Sequence, residues 1–108
     1  MVEDRSLDAT YQALADAARR AIVSRLAADG ELKVTDVARP LPMSLNGVSK
    51  HIKVLEQAGL VQRRIAGRDH WLSLRPDPLA RAYAWLGLYQ RFWEARMDAL
   101  ERYLDTHA

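Results

Sequence analysis

After Gly59 the apolar residues stop recurring every third or fourth position and begin to alternate. Before it, Leu7, Tyr11 and Leu14, then Ala18, Ile22 and Leu26, then Leu45, Val48, Ile52 and Leu55 keep helical spacing. Beyond it, "LVQRRI" and "HWLSL" alternate on either side of "AGRD", where Gly67 can take a positive φ. After "RPDP" the helical period returns and holds almost to the end. Two changes of period within 108 residues leave room for helices, one two-stranded hairpin and a further helix, all in one domain of ordinary size.

The boundaries follow from local chemistry. A first helix is expected over 8–16, and a second within "DAARRAIVSRLAADG", which Gly30 ends as a C-cap residue. Thr35 reads as the N-cap of a short helix over "DVARPL" that Pro40 and Pro42 stop. Ser44 caps the next helix, which runs to about Ala58 before Gly59 terminates it. Asp77 caps the last, with Pro78 at its first position. That helix is expected to be continuous from Leu79 to about Leu104, roughly 39 Å long. Four helices, a hairpin and a long helix make a mainly α fold with a small β-hairpin, a winged helix-turn-helix. Within a single domain over 1–108, the helix-turn-helix covers about 34–58, the wing about 60–75 and a dimerisation helix about 79–104.

Composition narrows the class. Hydrophobic residues make up 49% of the chain, enough for a real core, and no run of 18 apolar residues exists. The N-terminal "MVEDRSLDATYQALAD" lacks the basic-then-apolar order of a secretory signal. With no cysteine, disulfides and thiolate metal sites are excluded, in agreement with a cytoplasmic setting. His51, His70 and His107 lack ligand spacing, so no metal or other cofactor is expected. No Ser-His-Asp arrangement or Gly-rich phosphate loop points to an enzyme.

The net charge of +2 is unevenly spread. Residues 43–69 carry Lys50, Lys53, Arg63, Arg64 and Arg68 against only Glu56 and Asp69. A local positive surplus is the electrostatic footprint of a polyanion binder. Within "SLNGVSKHIKVLEQAGL", Leu45, Val48, Ile52, Leu55 and Gly59 share the sector expected to face the core. The opposite sector holds Asn46, Ser49, Lys50, Lys53 and Gln57. Asn and Gln bond bidentately to adenine, Lys reaches guanine or phosphate, and Ser serves either. Ser44 and Gly47 join this candidate DNA face at its first turn. Gly47 admits two readings, a tolerated small residue or a gap that lets backbone approach a phosphate. His51, at the flank, is expected to pack. From the hairpin, Arg68 beside Gly67 is a candidate for groove or backbone contact. Arg63 and Arg64 alternate in direction, so at most one faces DNA, and Arg64 is the candidate.

Together, "YQALADAARRAIVSRLAADGELKVTDVA" and "MSLNGVSKHIKVLEQAGLVQRRIAGRDHWLSL" resemble the ArsR-type winged-helix repressors of bacteria. The segment "PLARAYAWLGLYQRFWEARMDALERYL" looks like a branch of that family without metal-sensing residues. The resemblance implies a homodimeric transcriptional repressor on double-stranded DNA with dyad symmetry. Lys33 and Thr35 stand where metal-sensing members carry a cysteine pair, and the last helix has no His before His107. The arsenic-sensing implied by the family name therefore does not carry over.

Leu79, Tyr83, Leu86, Tyr89, Trp93, Met97, Leu100 and Leu104 form one stripe of the last helix, and Trp85, Leu88 and Phe92 a second. One stripe suffices to cover a small domain. A second, aromatic stripe points to another copy of the chain, and the expected dimer interface takes in Tyr83, Trp85, Leu86, Tyr89, Phe92, Trp93, Met97 and Leu100 with Tyr11 and Leu14 of the first helix. A pocket for a small apolar effector is another use of these aromatics, and a protein-interaction module is the alternative to DNA binding.

Overall fold

The computed structural model describes residues 5–107. Six helices and three short strands follow in the order α1 (Arg5–Leu14), α2 (Ala17–Asp29), β1 (Leu32–Lys33), α3 (Val34–Ala38), α4 (Leu45–Gln57), β2 (Val61–Ala66), β3 (Asp69–Leu74), α5 (Asp77–Gly87) and α6 (Gln90–His107). This is a winged helix-turn-helix, mainly helical, as the change of period predicts.

The core sits where α2, α3 and α4 meet the sheet. Ile22, Leu26, Val37, Val48, Ile52, Leu55, Leu60 and Leu72 are all 2% exposed or less. Side chains of this kind contribute about 1.5–3 kcal/mol each on burial, so this cluster supplies most of the drive to fold. Leu45 departs from the expected core face. It is 55% exposed, because α4 starts there and the core ends one turn later at Val48.

Capping explains most boundaries. Asp16 accepts bonds from the backbone N–H groups of Ala18 and Arg19, so α1 stops at Leu14 instead of reaching residue 16. Ser44 does the same for α4 through the N–H of Gly47, 3.1 Å away. At the other end of α4 the N–H of Gly59 bonds the Glu56 carbonyl and that of Leu60 bonds the Leu55 carbonyl. This double closure, with Gly59 at φ 77°, drives Leu60 into the core and launches β2.

Thr35 is not a cap: α3 begins after Lys33, which makes no side-chain cap bond. Asp77 likewise lies inside the first turn of α5, with Pro76 in the cap position.

The sheet has one strand more than the period-two pattern shows, with order β1-β3-β2 and both pairings antiparallel. Leu32–Lys33 is too short to declare itself by alternation, and it becomes a strand because the free edge of β3 offers it partners. The turn between β2 and β3 holds Gly67 at φ 64° beside Arg68, whose φ is not positive, as in a type II′ hairpin.

The expected single C-terminal helix is two. After Gly87 the N–H groups of Leu88 and Tyr89 reach back only three residues, to Trp85 and Leu86. Glycine is a poor helix former and loosens this point. Leu88 keeps right-handed dihedrals, so the chain jogs there without reversing. α5 packs on α1, where the Tyr11 hydroxyl donates to the Ala82 carbonyl at 2.8 Å. α6 buries no residue.

Candidate nucleic-acid interface

α4 presents its polar side outward. Ser44, Asn46, Ser49, Lys50, Lys53 and Gln57 are exposed. Apart from the Ser44 cap bond, their side chains make no hydrogen bond or ion pair among the described residues. Donors at Asn46, Ser49, Lys50, Lys53 and Gln57 are thus left facing solvent along more than two turns of one helix. Gly47 lies in the first turn. A methyl added there would meet the Ser44 Oγ at 3.4 Å, an ordinary contact, so packing does not demand glycine at this point.

The helix is held rigidly from behind. His51 is half-buried against the corner between α1 and α2. The Arg19 guanidinium donates to its Nδ1 at 3.3 Å, and Asp16 stands 4.0 Å from its Nε2. Arg19 also donates to the carbonyls of Ala13 and Gln12 at the end of α1. One side chain therefore closes α1, spans the start of α2 and touches α4. The Asp16 carboxyl is held below its usual range, first by the Arg19 backbone N–H, with burial opposing it, and then by the Ala18 backbone N–H and the Arg19 guanidinium.

The wing divides its two adjacent arginines between the faces of the sheet. Arg63 stands opposite Leu72 in the register and shares the inner face with the buried Val61. It reaches α4, where its Nη2 and Nε donate to the Glu56 carboxylate at 2.7 and 3.3 Å. Its Nη1 meets the His70 Nδ1 at 3.0 Å, and since arginine only donates, that ring nitrogen accepts. Arg64, the candidate from the sequence, stands opposite Trp71 on the outer face. Its Nη2 and Nε donate to Glu31 at 2.7 and 3.2 Å. That bond holds the Glu31 carboxyl below its usual range and pushes the Arg64 guanidinium up. The ring of Trp71 lies under both Arg64 and Lys33, at 5.5 and 5.3 Å.

A groove lined by Ser49, Lys53, Glu56, Gln57 and Arg63 runs between α4 and the wing. A second cleft, of about 260 Å³, is lined by Lys33, Thr35, Leu45, Ser49, Arg63, Arg68 and His70 among others. The structure thus brings together Ser49, Lys53, Gln57 and Arg68 of the predicted set and leaves Arg64 on the other side of the sheet. Arg63 was discoverable: Val61 is the apolar start of the strand, and residues two apart share a face.

Along α5 and α6 a series of apolar and aromatic residues is exposed. Tyr83, Trp85, Leu86, Tyr89, Phe92, Trp93, Met97 and Leu100 are all at least 36% exposed. Trp85 makes edge contacts with Tyr11 and Tyr89, at 5.9 and 5.2 Å between centroids. Leu14 is partly buried and packs against the core of its own chain.

No helix among the described residues is long and apolar enough to cross a membrane. No three His, Asp or Glu side chains among them stand close enough to hold a metal ion.

Residues 14–64 match the family model of a helix-turn-helix domain. The chain is 44% identical over 102 residues to the HTH-type transcriptional regulator Rv2034 of Mycobacterium tuberculosis, covering 94% of this chain and 92% of that one. It is similar to the crystal structure of an ArsR family transcriptional regulator, with a TM-score of 0.78, 35% identity, and coverage of 87% and 97% of the two chains. It is also similar to the solution structure of a homodimeric winged helix-turn-helix DNA-binding domain from Mycobacterium bovis, described as a possible ArsR-family regulator. That match has a TM-score of 0.64 and 27% identity, over 80% of this chain and 79% of the other.

Proposed function

This chain belongs to the ArsR family of helix-turn-helix transcriptional regulators, which bind DNA, and on that premise we propose that it is a homodimeric repressor of an operator with dyad symmetry. α4 enters the major groove, with Asn46, Ser49, Lys50, Lys53 and Gln57 toward bases and phosphates and Ser44 and Gly47 at the leading turn. Arg68 at the wing tip and Arg63 beside α4 contact the backbone. The observation that carries this reading is the row of outward donors on α4 that no side chain of the described residues engages, flanked by a wing whose tip is cationic. The exposed band on α5 and α6 pairs two copies, a reading supported by its exposed aromatics and by a similar protein that is homodimeric. The protein works in the cytoplasm, where its operator is.

Sequencing the genomic fragments that the protein retains tests the proposal. The expected result is an enriched palindrome with half-sites about 34–36 Å apart, one helical turn. Affinity for that site falls with salt, with a log–log slope of about −0.9 per neutralised phosphate. Adding the protein to a transcription reaction driven by the adjoining promoter lowers the transcript. Failure to enrich any sequence would defeat the operator, and a raised transcript would defeat repression.

A further inference from the structure

Leu45 occupies a position that neither the core nor the polar face explains. Helical arithmetic groups it with Val48, Ile52 and Leu55, and those three are completely buried. Leu45 itself is 55% exposed at the first residue of α4. Its immediate neighbours are the exposed Asn46 and, one turn on, Ser49. It lines the cleft between α4 and the wing together with Ser49, Arg63, Arg68 and His70. Val34 and Thr35 of α3 line the same cleft, yet more than half of Leu45 stays open to solvent at the leading end of the helix, among groups suited to bases and phosphates.

The chemistry of the major groove supplies a matching partner. Among base edges there, the C5-methyl of thymine is the apolar feature, and the N-terminal residues of a recognition helix are those that meet base edges. We propose that Leu45 contacts a thymine methyl in each half-site and so sets thymine over cytosine at that position. The inference rests on α4 being the helix that enters the groove. The side-chain amide of Asn46 and the hydroxyl of Ser49 read hydrogen-bonding edges beside it. Leu45 reads shape and hydrophobicity, which those groups do not distinguish. Removing one methyl from such a contact corresponds to roughly a fourfold loss of affinity, since transfer of a methylene-sized group from water has about that equilibrium effect.

The test replaces each thymine of a half-site in turn with deoxyuridine, which deletes the methyl and leaves every hydrogen-bonding group in place. Binding of the full-length protein is followed by fluorescence anisotropy. For the wild-type chain, one position is expected to show about a fourfold loss for a single substitution. Leu45→Ala should bind the unmodified operator about fourfold more weakly and be indifferent to deoxyuridine at that position. Leu45→Met, which keeps an apolar reach, should retain the sensitivity. Circular dichroism of both variants should match wild type, because the side chain is not part of the core. If no thymine shows a methyl dependence, or if Leu45→Ala keeps the wild-type dependence, the assignment is overturned. Tight, salt-dependent binding to the unmodified operator in the same experiment would leave the DNA-reading role of α4 standing, whereas its absence would remove both.

Discussion

Lys53 and Asn46 stand on the same outward face of α4 and are suited to different tasks. Lys53 is a mobile point charge, which serves a phosphate regardless of sequence. Asn46, near the helix start, carries a planar amide that matches adenine. Lys53→Glu is therefore expected to weaken binding to all DNA and to reduce the salt slope by about one. Asn46→Ala should instead shrink the preference for operator over random DNA, by about 1–3 kcal/mol at the affected base pair. Titrations of both variants on both DNAs, at several salt concentrations, check this, and equal losses on both DNAs for Asn46→Ala would remove its reading role. Asp16 acts at the same scale but on stability. Its carboxyl is held below the usual range chiefly by the Arg19 backbone N–H. The folded state therefore binds that proton less readily than the unfolded state does. The stabilisation is complete above the ordinary carboxylate range and is lost as pH falls through it toward the lowered value. Asp16→Asn keeps an N-cap acceptor but removes this titration, so its melting temperature should fall less between neutral and acid pH than that of wild type. Superimposable pH profiles of melting temperature would contradict the role.

The wing shows how one strand directs two identical side chains to different ends. Alternation sends Arg63 toward α4 and Arg64 toward Trp71. The Arg63–Glu56 pair is partly solvated, with side chains 28% and 29% exposed. Arg63 lines the groove beside Lys53 and Gln57, within reach of a phosphate that the proposed docking brings there. Arg64 sits on the face turned away from α4 and braces β2 to the turn before β1 through Glu31. Arg63→Ala is expected to lower operator affinity and flatten the salt dependence, while Arg64→Ala should leave the slope unchanged. The reverse pattern in paired salt titrations would mean that the outer face of the sheet is the one that meets DNA.

At the scale of the molecule, the shape itself is unusual for a lone chain. The radius of gyration is 18.0 Å, where a compact chain of this size would have about 13 Å. The excess comes from α6, whose 18 residues bury nothing. Helices in proteins draw most of their stability from packing an apolar face, and among the described residues α6 finds no such packing. A second copy provides it if the exposed aromatic bands pair. The double substitution Phe92→Glu with Met97→Glu should then give a monomer in analytical ultracentrifugation. It should also lose helical signal, bind the operator more weakly, and melt at a temperature that no longer rises with protein concentration. A dimer of undiminished affinity in that variant would place the interface elsewhere.

Much of the fold was written locally in the sequence. Ser44, Gly30, Gly59 and Gly67 mark helix ends and a turn because capping and left-handed backbone depend on a few adjacent residues. The winged helix-turn-helix order and the polar face of α4 follow from periodicity, which is equally local. Features that rest on a distant partner were not legible. Leu32–Lys33 is a strand only because β3 lies beside it. Arg64 is held on the outer face by a glutamate 33 positions earlier. Leu45 fits the apolar sector of its helix but is more than half exposed, since the buried core of α4 begins at Val48. The break after Gly87 was signalled only by one glycine in an otherwise unbroken apolar stripe. Periodicity states which side of an element is apolar, but only the packed neighbours decide whether that side is covered, and by what.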